Sequence, residues 1–268
     1  MKKESVYLLV MFLIASSCGN ISEKLNIFKL EDDIKLGAQI SSYIESDTSG
    51  IEVLDSSKFP DAYYHLNRIT STIINSGKLK HKEDFVWRAK IIKNDSIINA
   101  FATPGGYIYV FTGLIKYLDS EDQFAGVMAH EIAHADRRHS TAMLTKVYGL
   151  SFLINIILGN DNQMLGNITQ NLLSLNFSRG AEEDADKYSV IYLCHEDSPY
   201  QADGAAGFFT KMIAEKQSGS IPEFLSSHPS PPNRITKIRE TADELGCTNK
   251  TAADSSAYKE FKNSLSSN

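Results

Sequence analysis

The chain lacks an excess of positive charge, an apolar run long enough to cross a membrane, and any internal repeat. A net charge of -6 and a pI of about 5.7 give no reason to expect nucleic acid as a partner. The two most apolar runs, 6–14 and 147–158, are shorter than the roughly 20 residues that span a bilayer. The composition, 42% hydrophobic and 22% charged over 268 residues, is that of a folded, mildly acidic protein with one large domain or two small ones.

Cysteine is also scarce, and the first of the 3 cysteines follows a segment typical of export signals. Lys2 and Lys3 precede the apolar residues 6–14, and the small residues Ala15-Ser16-Ser17 lead into Cys18. Small residues that run directly into a cysteine resemble the lipobox of bacterial lipoproteins. Alanine stands at position 15, where that motif usually has leucine.

We therefore predict a signal peptide over 1–17, lipidation of Cys18 and a polar tether over 18–29. The protein is then exported to the periplasm and attached to the outer membrane through its lipid, with a plain secretory signal as the alternative. Lipidation of Cys18 leaves Cys194 and Cys247. The sequence is compatible with a disulfide between these two and equally with two unpaired thiols.

The most informative stretch is His130-Glu131-Ile132-Ala133-His134. Two histidines four apart on a helix lie on the same face, which suits two ligands of one metal ion. Glu131 is then placed to accept a proton from water, as in the zinc peptidases that carry this motif. A chance pair of surface histidines is the alternative, and the apolar neighbours argue against it.

The flanking residues predict one long helix around this motif. Ser120 with Gln123 three residues later is typical of a capping box, and no proline occurs from there to Leu144. On such a helix His139 lies about 140° around the axis from His134, so it is a poor third ligand. We expect it to form a hydrogen bond or to lie on the surface. The apolar residues 147–158 are expected to form a buried helix or a flap near the site.

A third metal ligand is expected from the acidic segment that includes Glu182. A site with two histidines needs another protein ligand and an open position for water. Glu182 is preferred because Asp186 lies four residues further on, on the same helical face, where it can hold a ligand histidine. Glu183 has Lys187 at the equivalent place. The alternative is a solvated acidic first turn, which helices favour in any case.

Three further segments of the sequence accompany the histidine motif. Ser178, Arg179, Glu182, Ala185 and Asp186 fit the motif Ser-Arg-x-x-Glu-x-x-Ala-Asp. It is accompanied by a stretch that runs from Asn99-Ala100 through Pro104-Gly105-Gly106 to Val110 and Gly113-Leu114, and by a histidine-proline segment, 224–229 with Asn233-Arg234-Ile235. Over roughly Glu31 to Leu245 the chain thus resembles the HtpX-, Oma- and BepA-like zinc metalloproteases, a family grouped with the CAAX prenyl endopeptidases.

This resemblance implies an α+β fold that is mostly α, with a gluzincin-type core and a short mixed β-sheet beside the zinc-binding helices. It implies a metalloprotease domain over 30–250, and we expect a C-terminal tail over 251–268. It also implies one Zn²⁺ per chain and a division of roles at the metal. The implied ligands are His130, His134 and Glu182, with Glu131 as general base and Asp186 as the carboxylate behind the ligands.

The resemblance also implies where a substrate lies. Asn99 and Ala100 belong to the implied substrate-binding edge, and Arg234 anchors either its own segment or the substrate backbone. His228 is expected in the active site, near the substrate or transiently near the metal. The chain has neither the several membrane spans nor the helical-repeat domain of some branches, so it is most similar to the small lipoprotein members.

The function implied is an exported zinc endopeptidase whose substrates are unfolded or misassembled proteins of the cell envelope. The alternative is an envelope chaperone or assembly factor that binds such proteins with little or no cleavage. The presence of Glu131 beside a full ligand set favours the enzyme. The sequence gives no indication of the oligomeric state.

Overall fold

The computed structural model describes residues 28–46, 49–159, 161–174, 176–217, 224–229, 233–248, 251–253 and 255–266. The predicted signal peptide, Cys18 and most of the tether lie outside the described residues.

Two helices begin the described part, α1 (Leu30–Ile44) and α2 (Pro60–Ile74). Acidic residues occupy the first turn of α1, where their negative charge interacts favourably with the positive end of the helix dipole. Pro60 opens α2 at a position where its missing N–H breaks no helical hydrogen bond. In α2 Tyr63 faces the core, whereas Tyr64 is 64% exposed.

A small mixed sheet follows, built from β1 (Arg88–Ile92), β2 (Ala100–Ala102) and β3 (Tyr107–Phe111). The strand order is β1-β3-β2, with β1 parallel and β2 antiparallel to β3. Strands β2 and β3 therefore form a hairpin. Its turn requires Gly106, since φ is 88° there and an added Cβ would lie 2.9 Å from Cβ of Phe85.

The remaining helices pack around this sheet. Their bounds are α3 (Thr112–Tyr117), α4 (Glu121–Asp136), α5 (His139–Tyr148), α6 (Leu150–Gly159), α7 (Asn162–Ser174), α8 (Arg179–Leu193), α9 (Gly204–Gln217), α10 (Phe224–Ser227), α11 (Arg234–Glu244) and α12 (Ser255–Asn263). Helices with a short mixed sheet are the predicted fold class, which is confirmed.

Helix α4 carries the histidine motif and is buried along nearly its whole length. The Oγ atom of Ser120 accepts the backbone N–H of Gln123 at 3.2 Å, so the expected cap is formed. Small residues let neighbouring helices approach closely. A Cβ added to Gly126 would lie 2.2 Å from the backbone nitrogen of Ala205, so α9 packs directly on the backbone of α4. The motif therefore sits at the centre of the molecule.

The long helix expected through Leu144 is instead two helices. Helix α4 ends at Asp136, and Arg138 has the left-handed conformation, with φ of 62°. Tertiary bonds hold this break, because the Arg138 guanidinium donates to Asp33 and to the carbonyl of Phe28. Helix α5 then starts at His139 in a new direction. The prediction of a continuous helix was wrong because these contacts of Arg138 with distant residues end α4.

The C-terminal residues expected to form a tail include α12, which packs on the same core. Tyr258 and Phe261 are 1% and 0% exposed, and the Phe261 ring contacts the rings of Phe124 and His65. Cys194 and Cys247 form a disulfide with a Cα–Cα distance of 5.7 Å, which joins the ends of α8 and α11. The pairing that the sequence left open is thereby made.

The apolar residues 147–158 lie mostly in α6. Leu153 and Ile156 are buried there, whereas Ile154 and Leu158 are exposed, so the helix is covered on one face. Across the described ranges, no single helix has both the length and the apolar character to cross a membrane. The pair α5 and α6, bent by 102°, meets that test jointly, by length and composition alone.

Candidate active site

His130 and His134 come together on one face of α4, as expected. Their Nε2 atoms are 3.0 Å apart, and both side chains are fully buried. Burial lowers the pKa of each imidazole well below its ordinary value. Both rings are therefore neutral, which is the form in which histidine binds a metal.

Glu182 faces the two histidines from α8. Ser178 caps this helix by accepting the N–H of Ala181 at 3.2 Å, which starts α8 one turn before the glutamate. Atom Oε1 of Glu182 lies 3.4 Å from Nε2 of His134, and Oε2 lies 3.6 Å from Nε2 of His130. The expected third ligand is thus adjacent to both histidines. Glu183 points elsewhere and pairs with Lys237 at 2.9 Å.

His228 adds a fourth donor. Its Nδ1 atom is 3.0 Å from Oε1 of Glu182 and 3.4 Å from Nε2 of His130. The rings of Phe224 and Phe177 stack against it at centroid distances of 4.3 and 5.3 Å. One donor atom from each of His130, His134, Glu182 and His228 lies within 4.8 Å of the others, and we call these four residues the donor set.

The donor set fits a metal ion. Three imidazole nitrogens and a carboxylate oxygen are the ligand types found at tetrahedral zinc centres. Burial raises the pKa of Glu182, but the His228 charge and the hydrogen bonds from His134 and His228 outweigh it, so the pKa lies well below its ordinary value. Within the described residues Oε2 of Glu182 accepts no hydrogen bond, although it is buried and lies 3.0 Å from Nη2 of Arg234. A buried, ionised carboxylate of this kind is suited to a cation.

Glu131 lies beside the donor set, and its side chain is also fully buried. Neither carboxylate oxygen has a hydrogen-bond partner among the described residues, and Oε1 is 3.5 Å from Nε2 of His228. Burial raises the pKa of Glu131 to about 7, against the lowering effect of the His228 charge. A carboxyl group with that pKa exchanges a proton readily near neutral pH, as a general base must.

His228 lies between two carboxylates, those of Glu182 and Glu131. Burial lowers the pKa of its imidazole, but the two negative charges outweigh this and raise the pKa above its ordinary value. Without a metal ion the His228 ring is thus held between the two carboxylates by charge as well as by stacking, and to bind a metal through Nδ1 it would give up the proton on that atom.

Asp186 and Arg234 form the layer behind the histidines. Oδ1 of Asp186 lies 3.0 Å from Nδ1 of His130 and 2.7 Å from Nη2 of Arg234. The same Nη2 is 3.0 Å from Oε2 of Glu182, and the guanidinium carbon lies 3.5 Å from the ring centroid of Phe209. Asp186 therefore contacts His130, one of the two expected ligand histidines. Arg234 is buried against two carboxylates, which ties α11 to α8.

The expected substrate residues Asn99 and Ala100 lie at the start of β2, at the edge of the sheet, and both are buried. The Asn99 side chain accepts the N–H of Ala100 at 2.9 Å. Next to them, the carbonyl of Ile98 accepts the N–H of Phe224 at 3.2 Å. The residue that begins the His228 segment is therefore bonded to this end of the sheet edge. Contact of Asn99 and Ala100 with a substrate remains a prediction.

Two site residues were missed as such by the sequence reasoning, His139 and Asp184. Nδ1 of His139 is 3.1 Å from Nδ1 of His134, and its Nε2 is 3.3 Å from Oδ2 of Asp184. Burial raises the pKa of Asp184, but hydrogen bonds from His139 and Arg137 lower it overall. A hydrogen bond was expected for His139, but not one with His134. The two rings meet because the helix breaks at Arg138, and the sequence has no clear signal for that break.

Comparison with known proteins gives a family and several relatives. The chain is 31% identical over 215 residues to the putative beta-barrel assembly-enhancing protease of Vibrio cholerae, a match that covers 69% of this chain and 43% of that protein. It is 30% identical over 193 residues to the mitochondrial metalloendopeptidase OMA1 of Schizosaccharomyces pombe, covering 70% and 55%. The match to the beta-barrel assembly-enhancing protease of Escherichia coli K12 is 29% identical and covers 58% and 34%.

These matches span roughly half or less of each relative's own length. The model of the family described as Peptidase family M48 matches residues 60–242, which include the motif helix, Glu182 and His228. The resemblance found in the sequence is confirmed by this match. Because the matched region is more than half of the chain, we conclude that the chain belongs to peptidase family M48.

Proposed function

We propose that this protein is an exported, zinc-dependent endopeptidase that hydrolyses peptide bonds in proteins of the cell envelope. One observation carries the proposal. Three buried side chains of metal-ligand type, those of His130, His134 and Glu182, converge from two helices. The buried carboxylate of Glu131 lies beside them and has no hydrogen-bond partner among the described residues. Family membership agrees with it, since the relatives are named as proteases and metalloendopeptidases.

In this proposal His130, His134 and Glu182 hold the ion. A bound Zn²⁺ supplies Lewis acidity, which polarises the scissile carbonyl and lowers the pKa of water. Glu131 accepts the proton from the attacking water at its carboxylate and delivers it to the nitrogen of the leaving amine. Its pKa of about 7 suits both transfers. Asp186 keeps the hydrogen of His130 on Nδ1, so that Nε2 is free to bind.

His228 has to move for catalysis. Catalytic zinc sites keep a position open for water or substrate, whereas four protein donors are typical of closed sites. If His228 were a fourth ligand, a bound ion would have no position left for a substrate carbonyl. We therefore infer that the segment 224–229 withdraws when a substrate binds beside β2. After that movement the His228 imidazole can donate a hydrogen bond to the oxyanion of the tetrahedral intermediate.

The substrate class and location rest on the relatives' names and on the N-terminal residues. Two of the three relatives are named for beta-barrel assembly, which supports envelope proteins as substrates. The residues before Cys18 support export and a lipid anchor at the outer membrane, although the third relative is mitochondrial. We retain 1–17 as signal peptide, 18–29 as tether and 30–250 as the protease domain.

A second candidate function is that of an envelope chaperone or assembly factor that binds its clients and rarely cleaves them. The specific observation in its favour is the closed donor set, together with the hydrogen bond from Phe224 to the carbonyl of Ile98. Both features limit access to the metal and to the sheet edge.

The experiment that separates these functions measures zinc content and casein cleavage of the full chain, purified in detergent. Wild type is compared with Glu131→Gln, which removes the base and leaves the ligands. One zinc per chain in both proteins, with cleavage only by the wild type, supports the endopeptidase. Zinc in both and cleavage in neither supports the chaperone. Absence of zinc from both would contradict the metal site itself.

A further inference from the structure

The two motif histidines are supported from behind by different groups. Nε2 of each ring faces the donor set, and Nδ1 faces away from it. Behind His130 is the carboxylate of Asp186, at 3.0 Å from Nδ1. Behind His134 is another imidazole, that of His139, with the two Nδ1 atoms 3.1 Å apart. At Nδ1, His134 therefore has no direct carboxylate contact among the described residues, unlike His130.

A carboxylate nevertheless lies one step further out. Nε2 of His139 is 3.3 Å from Oδ2 of Asp184, and that same oxygen accepts the Nε–H of Arg137 at 2.8 Å. The side chains of His139 and Asp184 are 13% and 32% exposed, so this chain of contacts runs from the buried site toward the surface.

The chemistry of imidazole fixes the hydrogens along this chain. A neutral ring has one N–H donor and one bare nitrogen acceptor. If Nε2 of His134 binds a metal, its hydrogen is on Nδ1, and Nδ1 of His139 must accept that bond. The hydrogen of His139 is then on Nε2, from which it is donated to Asp184. A carboxylate beyond His139 favours this tautomer over the other one.

We propose that His139 and Asp184 are positioning residues of the metal site, which set the tautomer and orientation of His134 through two successive hydrogen bonds. The inference rests on the proposed metalloprotease function, since it takes Nε2 of His134 as a metal ligand. Helix α8 would then serve the site through three residues, with Glu182 as ligand, Asp186 behind His130, and Asp184 behind His134 by way of His139.

The break between α4 and α5 makes this arrangement possible. On a continuous helix His139 would lie about 140° around the axis from His134, and their rings would not meet. The left-handed Arg138 turns the chain so that the ring centroids are 5.1 Å apart. The turn at Arg138 therefore ends a helix and also brings His139 into contact with His134.

The chain offers a matched control for Asp184. Glu183 is the adjacent residue on α8, and it pairs with Lys237 on the surface, where its side chain is 45% exposed. Asp184→Asn and Glu183→Gln each replace one carboxylate by the amide of the same shape. Only the first change reaches His134 through a hydrogen-bond chain.

The test is the affinity of the full chain for zinc, measured in competition with a chromophoric chelator. Loss of a group that supports a ligand from behind typically weakens metal binding by about 10- to 100-fold. We expect a loss in that range for His139→Ala and for Asp184→Asn. Glu183→Gln should bind zinc as the wild type does. Circular dichroism of each variant checks that it is folded.

Two conservative variants of His139 distinguish positioning from general packing. The side-chain oxygen of His139→Asn comes near the place of Nδ1 and can accept the bond from His134. The amide of His139→Gln reaches the place of Nε2, toward Asp184. Zinc affinity should be restored more fully by His139→Asn than by His139→Gln, whereas a purely structural role gives no such order.

The outcomes are distinct. If the wild type binds zinc and Asp184→Asn binds it as tightly as Glu183→Gln, the positioning role is refuted and the proposed endopeptidase is unaffected. If the wild type binds no zinc, both proposals are refuted. If His139→Ala does not fold, Asp184→Asn decides the question, because its site is a third exposed and tolerates an amide of the same shape.

Discussion

Nδ1 of His228 lies 3.0 Å from Oε1 of Glu182. A residue of the separate segment 224–229 thus completes the donor set, whose other members belong to α4 and α8. The position gives the first prediction. His228→Ala removes one of four donors, so zinc should bind at least about ten times more weakly, the lower limit typical even for groups behind a ligand. Competition with a chromophoric chelator measures this affinity. An unchanged affinity would mean that His228 does not bind the ion in solution.

The second prediction concerns Glu131, whose carboxylate is buried without a hydrogen-bond partner among the described residues. Glu131→Gln should reduce kcat for casein by about 10²- to 10⁴-fold, the usual contribution of a general base. The same change should stabilise the metal-free protein by about 1 kcal/mol, because an uncharged amide is less costly to bury. Denaturant titration of both proteins, with excess EDTA, measures the difference. A less stable variant would show that the attraction between the Glu131 carboxylate and His228, 3.5 Å away, outweighs the cost of burying the charge.

The third prediction concerns α12, which the sequence analysis assigned to a tail. Phe261→Ala should lower the free energy of unfolding by about 3–5 kcal/mol, since the ring is fully buried among Phe124 and His65. Tyr64→Ala is the control, because that ring is 64% exposed and its loss should change stability by only about 0.5 kcal/mol. Equal effects in urea titrations would argue that α12 is detached in solution.

The fourth prediction concerns the disulfide between Cys194 and Cys247, which are 53 residues apart. Its removal in the double variant Cys194→Ser, Cys247→Ser should cost about 2–4 kcal/mol of stability, mainly because the unfolded chain gains freedom. The bond joins α8, with Glu182, to the end of α11, with Arg234. We therefore also expect weaker zinc binding in the double variant. Identical melting temperatures before and after reduction of the wild type would contradict the bond.

Much of the site could be predicted because it depends on local spacing. Two histidines four apart share a face on any helix, and the four-residue step from Glu182 to Asp186 does the same on α8. The choice of Glu182 over Glu183 followed from that step, and the distances from Glu182 and Asp186 to the histidines agree with it.

The remainder depends on contacts between residues that are distant in sequence. Asp136 ends α4 where it accepts the backbone N–H groups of Lys80 and His81 and the hydroxyl of Tyr192, at 2.6–3.0 Å. None of these partners is visible from the helix pattern around Asp136, which favours continuation. The role of His139 was missed for the same reason, since it depends on the turn at Arg138.

The contact between Gly126 and the backbone of Ala205 has a mechanical consequence. The two backbones are in direct contact here, since even a methyl group at Gly126 of α4 would overlap α9. We therefore expect α4 to keep its position relative to α9 when a substrate binds. In the proposed mechanism the movement that admits a substrate is then confined to the segment 224–229, which carries His228.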